Sequence, residues 1–277
     1  MQGRPFSERA FETLICDSPR PGVARITLNR PAQMNAYTFA MTQELLAALA
    51  AYRDDDDLRA LILTGAGRRA FCTGGDLSGA DAEHNRRVAG QPMGSGREMR
   101  DGMQAVVRAL VRLDKPSLAM IHGYAVAGGL ALALACDIRF AGEGARLGDT
   151  SHKAGLLPDE GGAWLFPRFM GLDRALKMSL MSEIYPAAQA MALGLVTEVV
   201  ADDALEARAL DFCVALTAKA PLAVRLTKMM MARALEVGLD ASLEAAQVAV
   251  MVTNPSQDVR EGVRAFQEKR PPVFQGR

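Results

Sequence analysis

GYAVAGGLALALAC, residues 123–136, sets a glycine pair at the head of a segment that is apolar on every side. A helix with no polar face is a buried helix. Glycines at its start leave backbone N–H groups free, aim the helix dipole at whatever approaches, and let it come close. Just upstream, Ser117 to Ile121 reads as a short buried strand. A second pair, in Phe71-Cys72-Thr73-Gly74-Gly75-Asp76, also follows an apolar stretch. Two amides from separate loops make an oxyanion hole, in which each donor is typically worth about 2.7–4 kcal/mol in the transition state. By composition alone, the favoured reading of both pairs is a tight turn.

Working outward, Thr13 to Cys16 and Val23 to Leu28 read as strands around the turn Ser18-Pro19-Arg20-Pro21-Gly22. Thr38 is placed to cap a helix in FAMTQELLAALAAYRDD, and Ala60 to Thr64 is another buried strand. Strands spaced by helices predict parallel pairing through crossovers, an α/β core. Residues 78–103, with glycines, charges and no clear period, read as a long mobile loop, a candidate lid. Beyond Val200 the pattern is helical, with Pro221 and Pro255 as first-turn residues. The expected division is a core over 1–200 and a helical region over 201–277. Core packing is the favoured reading of Met229-Met230-Met231, with a subunit interface as the other.

Lys+Arg and Asp+Glu both number 32, and aromatics make up only 5%, which argues against nucleic acid and anionic membrane as partners. Cys16, Cys72, Cys136 and Cys213 include no C-x-x-C pair, so neither a zinc site nor a disulfide framework is expected and a reducing cytoplasm fits best. MQGRPFSERAFETL has no apolar core of signal-peptide length. Gly65-Ala-Gly67-Arg-Arg-Ala70 matches a dinucleotide fingerprint nominally, but a turn-rich piece, FCTGGDLSG, stands where that fingerprint needs a helix.

Five segments in order, LNRPAQMNAYT, AFCTGGDLSG, GYAVAGGLALALACDIRFA, GLLPDEGGAWLFPR and REGVRAFQEKRPPVF, resemble the crotonase, or enoyl-CoA hydratase/isomerase, superfamily. The likeness runs from about Leu14 to Phe274. It implies a spiral of ββα turns with C-terminal helices that build a trimer or a dimer of trimers. It also implies an acyl-CoA thioester as substrate, no separate cofactor and no metal, with the amides of Gly75 and Gly128 gripping the thioester oxygen.

At the two positions where hydratases of the superfamily carry glutamates, this chain has Ala131 and Ser151. Hydration needs a base for water and an acid for the α-carbon; Ala131 supplies neither, and an unassisted serine titrates far too high. Asp159 instead matches the single catalytic acid of the superfamily's enoyl-CoA isomerases and of the ring-isomerising enzymes of phenylacetate breakdown, which the chain resembles most. The implied role is a proton shuttle between C2 and C4. Leu156, Leu157 and Trp164 are expected to raise its pKa by desolvation. Otherwise Asp159 is the N-cap of the following helix, and Glu160 is read as a first-turn residue.

The resemblance places Gln33, Met34 and Ala36 and the loop Ala70, Phe71, Cys72 and Thr73, continuing to Asp76 and Leu77, against the pantetheine and adenine. Arg30 is a phosphate candidate. Phe266 and Lys269 would approach the adenine and 3′-phosphate from a neighbouring subunit. Tyr124 is a candidate for the acyl pocket. His122 and His152 read as structural, and His84 as solvated. Two other readings stay open: a hydratase-like or dehalogenase-like enzyme, the latter with Asp159 as nucleophile, and a non-catalytic acyl-CoA binder.

Overall fold

The computed structural model describes residues 6–277; the first five residues of the N-terminal stretch read for a signal peptide lie outside them. In chain order the strands are β1 (Leu14–Arg20), β2 (Val23–Leu28), β3 (Ala60–Gly65), β4 (Ala70–Cys72), β5 (Ser117–Ile121), β6 (Tyr124–Val126), β7 (Ile138–Gly142), β8 (Arg146–Gly148), β9 (Ile184–Pro186) and β10 (Glu198–Val200). One sheet has the order β1-β2-β3-β5-β7-β10, parallel except for the β1–β2 hairpin. The other is β4-β6-β8-β9, parallel except for β8–β9.

β3 shows why its sequence is apolar throughout. Its residues alternate between two cores: Leu61 and Leu63 enter the main core, while Ala60 and Ile62 enter a second one beneath a C-terminal helix. A parallel strand covered on both faces has no solvent side to make polar. β1 runs through Ser18 and Pro19 to Arg20, farther than expected, because a register shift between Asp17 and Arg20 absorbs the irregularity and leaves only Pro21-Gly22 to turn.

The helices are α1 (Phe39–Asp54), α2 (Ala82–Ala89), α3 (Gly94–Asp101), α4 (Met103–Val111), α5 (Gly128–Leu134), α6 (Gly162–Met170), α7 (Leu172–Met181), α8 (Ala187–Ala192), α9 (Leu205–Thr217), α10 (Pro221–Ala234), α11 (Leu239–Thr253) and α12 (Gln257–Gln267). Thr38 caps α1 as expected, its side chain accepting from Met41 N at 3.2 Å. All seven residues of α5 are buried.

The 78–103 segment is not a loop but α2, α3 and the start of α4. Its polar composition hid helices that bury almost nothing. Within it His84 is not solvated: its ring stacks on Phe39 with centroids 4.5 Å apart and its Nε2 lies 2.9 Å from Glu98. α9 closes the second core through Leu205, Ala209 and Cys213, so the helical tail begins by completing the sheet. Pro221 opens α10, whereas Pro255 precedes the cap of α12, Ser256, whose Oγ accepts from Val259 N. Met229 and Met231 are 52% and 69% exposed rather than packed in the core.

Candidate active site

β4 and β6 are neighbouring parallel strands, so the chain leaves both at the same sheet edge. That topology brings the two glycine loops side by side. A Cβ built on Gly74, whose φ is +90°, would lie 3.2 Å from the Gly128 amide nitrogen. Ala127, at the N-terminus of α5, takes φ +50°, a conformation costly for a residue with a side chain. No helix opens at Gly65–Gly67; the chain passes straight to β4, consistent with rejecting the dinucleotide fingerprint.

Tyr37 lies between the glycine loops. Its N–H donates to the Gly74 carbonyl at 2.9 Å and its carbonyl accepts from Asp76 N at 2.9 Å. Its hydroxyl comes within 3.6 Å of where a Gly75 Cβ would stand, and its ring within 2.9 Å of where a Gly128 Cβ would stand. The loop that delivers it is pinned by the buried Asn35. This side chain donates to the Ala66 and Ala70 carbonyls at 3.0 and 2.7 Å and accepts from Arg30 N.

A cavity of about 370 Å³ opens in front of these loops, walled by Tyr37, Gly75, Ala127, Ser151, Asp159 and Glu160 among others. Of the residues singled out in the sequence, Thr73, Asp76 and Leu77 also line it. Gly128 follows Ala127 directly. Ala36, Ala70, Phe71 and Cys72 are buried behind the wall. Burial pushes the Cys72 thiol up to about 12, as expected of a packing residue. Met34 touches Thr73 through a 3.3 Å hydrogen bond to its carbonyl, whereas Gln33, in a short 3-10 turn, does not reach the cavity. Phe266 is 85% exposed, and neither it nor Lys269 lines this cavity. Tyr124, 41% exposed, does not line it either.

Arg30 is not free toward a phosphate. Its guanidinium pairs with Asp76 at 2.6 Å and donates to the Ala36 carbonyl. Burial works to raise the Asp76 carboxyl, but hydrogen bonds from Ser78 and Arg30 outweigh it and hold it below its ordinary range. The pair ties the 30–36 loop to the Gly75 loop.

The two adjacent acids part company. Asp159 is exposed, and Leu156, Leu157 and Trp164 are themselves 49%, 64% and 40% exposed, so they do not wrap it as expected. Neither is it a helix cap, because α6 begins after Gly161. Gln104 donates to its carbonyl at 2.8 Å, and its residue borders both the front cavity and a second one of about 730 Å³ against α4 and α10. Glu160 lies before the helix rather than in its first turn and is only 6% exposed. Its Oε1 accepts the Tyr37 hydroxyl at 2.6 Å. Burial raises its carboxyl above the usual range, with the Tyr37 bond acting against the shift and Asp159 and Asp149 adding to it.

Ala131 is fully buried in α5, and the Ser151 hydroxyl donates to Asp149 Oδ1 at 2.7 Å. Asp149 is itself fully buried, a carboxyl that the sequence reading passed over, as it did Tyr37. Tyr37 and Glu160 are 123 residues apart, and nothing local to either announces the contact. His152 is exposed, and burial lowers the pKa of His122. Among the described residues no group of three or more His, Cys, Asp or Glu side chains is placed to hold a metal ion, and no helix is long and apolar enough to cross a membrane.

The family model described as enoyl-CoA hydratase/isomerase matches residues 19–277. The (E)-benzylidenesuccinyl-CoA hydratase of Thauera aromatica is 35% identical over 254 residues, covering 92% of this chain and 96% of that protein. The 1,2-epoxyphenylacetyl-CoA isomerase of Escherichia coli K12 is 35% identical over 256 residues, again 92% and 96%. A crystal structure of enoyl-CoA hydratase from Bacillus anthracis superposes with a TM-score of 0.88 at 32% identity, covering 96% of this chain and 100% of that one. With two mixed sheets and C-terminal helices in the crotonase arrangement, the chain belongs to the enoyl-CoA hydratase/isomerase family, which acts on CoA thioesters without a cofactor.

Proposed function

We propose that this protein is an acyl-CoA isomerase that shifts a double bond or isomerises a ring through a thioester enolate. The observation that carries this reading is the distribution of ionisable groups around the cavity. The two hydratase positions hold Ala131 and a serine already bonded to Asp149, while Asp159 lines the cavity together with Gly75 and Ala127. In a 1,3-shift Asp159 takes a proton from the allylic unit, the Gly75 and Gly128 amides hold the resulting dienolate oxygen, and protonation at the far carbon completes the reaction. Backbone from the 33–36 and 70–77 segments holds the coenzyme, with Phe266 and Lys269 arriving from a neighbouring subunit.

The test is an assay of purified protein with 3-enoyl-CoA and 2-enoyl-CoA in D2O, reading double-bond position and deuterium at C2 and C4. The expected result is migration with incorporation and no 3-hydroxyacyl-CoA. A dominant hydration product would instead overturn the inference drawn from Ala131 and Ser151. A covalent Asp159 adduct would mean the dehalogenase-like course, and absence of any exchange a pure binder.

The four buried, unpaired cysteines fit a reducing cytoplasm. Assembly into a trimer or a dimer of trimers is supported by the apolar side chains left open on the C-terminal region, among them Met231, Leu235, Leu239, Val248 and Met251, each at least 64% exposed. Light scattering is expected to give three or six times the chain mass of 29.7 kDa; a monomer would leave those side chains, and the shared coenzyme site, without an explanation.

A further inference from the structure

Glu160 is buried to within 6% of its surface, yet only one of its carboxyl oxygens is engaged. Oε2 is enclosed and has no hydrogen-bond partner among the described residues. The carboxyl lies directly over Gly128: a Cβ built there would stand 2.8 Å from Glu160 Cδ and deeper still into Oε1. It is therefore beside the amide assigned to the thioester oxygen, close to where the α-carbon must sit. Asp159, one residue earlier, is exposed at the wall between the two cavities.

We propose that Glu160, oriented by Tyr37, is a second proton-transferring carboxyl of this site, serving C2 while Asp159 serves C4. The assignment rests on the isomerase reading above and divides the work that reading gives to Asp159. Two carboxyls in unlike surroundings, one solvated and one buried against Tyr37 with Asp149 and Asp159 nearby, are the arrangement in which one is the base and the other the acid.

Starting from a 2-enoyl thioester, the Asp159 carboxylate removes a C4 proton. The C4–H pair becomes the C3=C4 bond, and the former C2=C3 pair moves into C1=C2 as the thioester oxygen takes the charge. The enolate then collapses: its C1=C2 pair takes the proton from the protonated Glu160 carboxyl, forming C2–H and restoring the carbonyl. Glu160 is left as a carboxylate accepting the Tyr37 hydroxyl, and Asp159 as an acid. Proton return between the neighbouring carboxyls resets the site, and the 3-enoyl direction runs the same steps backward.

The test is deuterium exchange resolved by position. Glu160→Gln keeps the shape and an acceptor for Tyr37 but carries no transferable proton. Exchange at C2 is expected to fall about 100-fold while exchange at C4 stays within a few-fold of wild type, and Asp159→Asn is expected to show the mirror pattern. Loss at both positions in Glu160→Gln, or at neither, overturns the division. If Asp159→Asn alone stops both, the single-acid isomerase reading stands without Glu160, and if neither variant changes exchange that reading falls too. Should Glu160→Gln fail to fold, Tyr37→Phe carries the test. Removing the bond that lowers the Glu160 pKa should move the C2-exchange profile, which requires ionised Glu160 in the exchange-out step, to higher pH. The C4 profile should stay in place; an unmoved C2 profile rules the proposal out.

Discussion

Asp159→Asn is expected to reduce enoyl-CoA isomerisation by about 10²–10⁴-fold, the range spanned by a positioned general acid or base. The structure makes this substitution a clean probe. The Asp159 side chain makes no hydrogen bond or ion pair among the described residues, the Gln104 contact reaches its carbonyl and not its carboxyl, and the helix that follows is entered through Gly161. Replacing an exposed, unpaired side chain by its amide changes stability by no more than about 0.5 kcal/mol. Thr73, Asp76 and Leu77 share the cavity with Asp159, but its side chain makes no hydrogen bond to the segments proposed to hold the coenzyme, 33–36 and 70–77, so affinity for a non-reacting acyl-CoA should be kept. The measurement is kcat on 3-enoyl-CoA beside a thermal melt and a CoA-thioester titration. Activity within threefold of wild type would remove Asp159 from the mechanism; a loss matched by a lowered melting temperature would assign it to the fold.

The sequence was most legible where one physical demand dominates. The run at 60–64 had to be apolar because both its faces are covered, and 128–134 because every side of α5 is buried, so strand, loop and helix could be read in place. The 78–103 segment was misread because surface helices that bury almost nothing carry little apolar pattern to detect. The site was half legible for a related reason. Glycine loops and an acid after a proline are local signals. The position of Glu160 is not, since it depends on Tyr37 arriving from a loop fixed by Asn35 far upstream. Neighbouring acids look alike in sequence, and only packing sends one into solvent and the other into the core. Arg30 illustrates the same point with opposite effect: a cation near a coenzyme loop invites a phosphate role, and the fold places Asp76 against it.

Gly128→Ala should lower turnover by about 10²–10³-fold, the effect of losing one oxyanion donor, while Gly75→Ala should leave the fold as it is. The contrast comes from what a methyl group would meet. At Gly75 the nearest atom is the Tyr37 hydroxyl at 3.6 Å, an ordinary contact. At Gly128 the same methyl would overlap the Glu160 carboxyl and stand 2.9 Å from Tyr37 Cε1. Neither neighbour can retreat alone, because the Tyr37 hydroxyl is bonded to Glu160 and its backbone N–H and carbonyl are bonded to Gly74 and Asp76. The displacement therefore reaches both amide loops together, moving donors that must stand near 3 Å from the developing oxyanion. Overpacking of this kind also costs about 1–3 kcal/mol of stability. A melt and a kcat measurement on both variants separate the effects: the expected pattern is a destabilised, nearly inactive Gly128→Ala beside a Gly75→Ala that melts like wild type. A Gly128→Ala enzyme with wild-type kcat would show that the thioester oxygen is held elsewhere, and with it that neither Glu160 nor Tyr37 borders the reacting carbons.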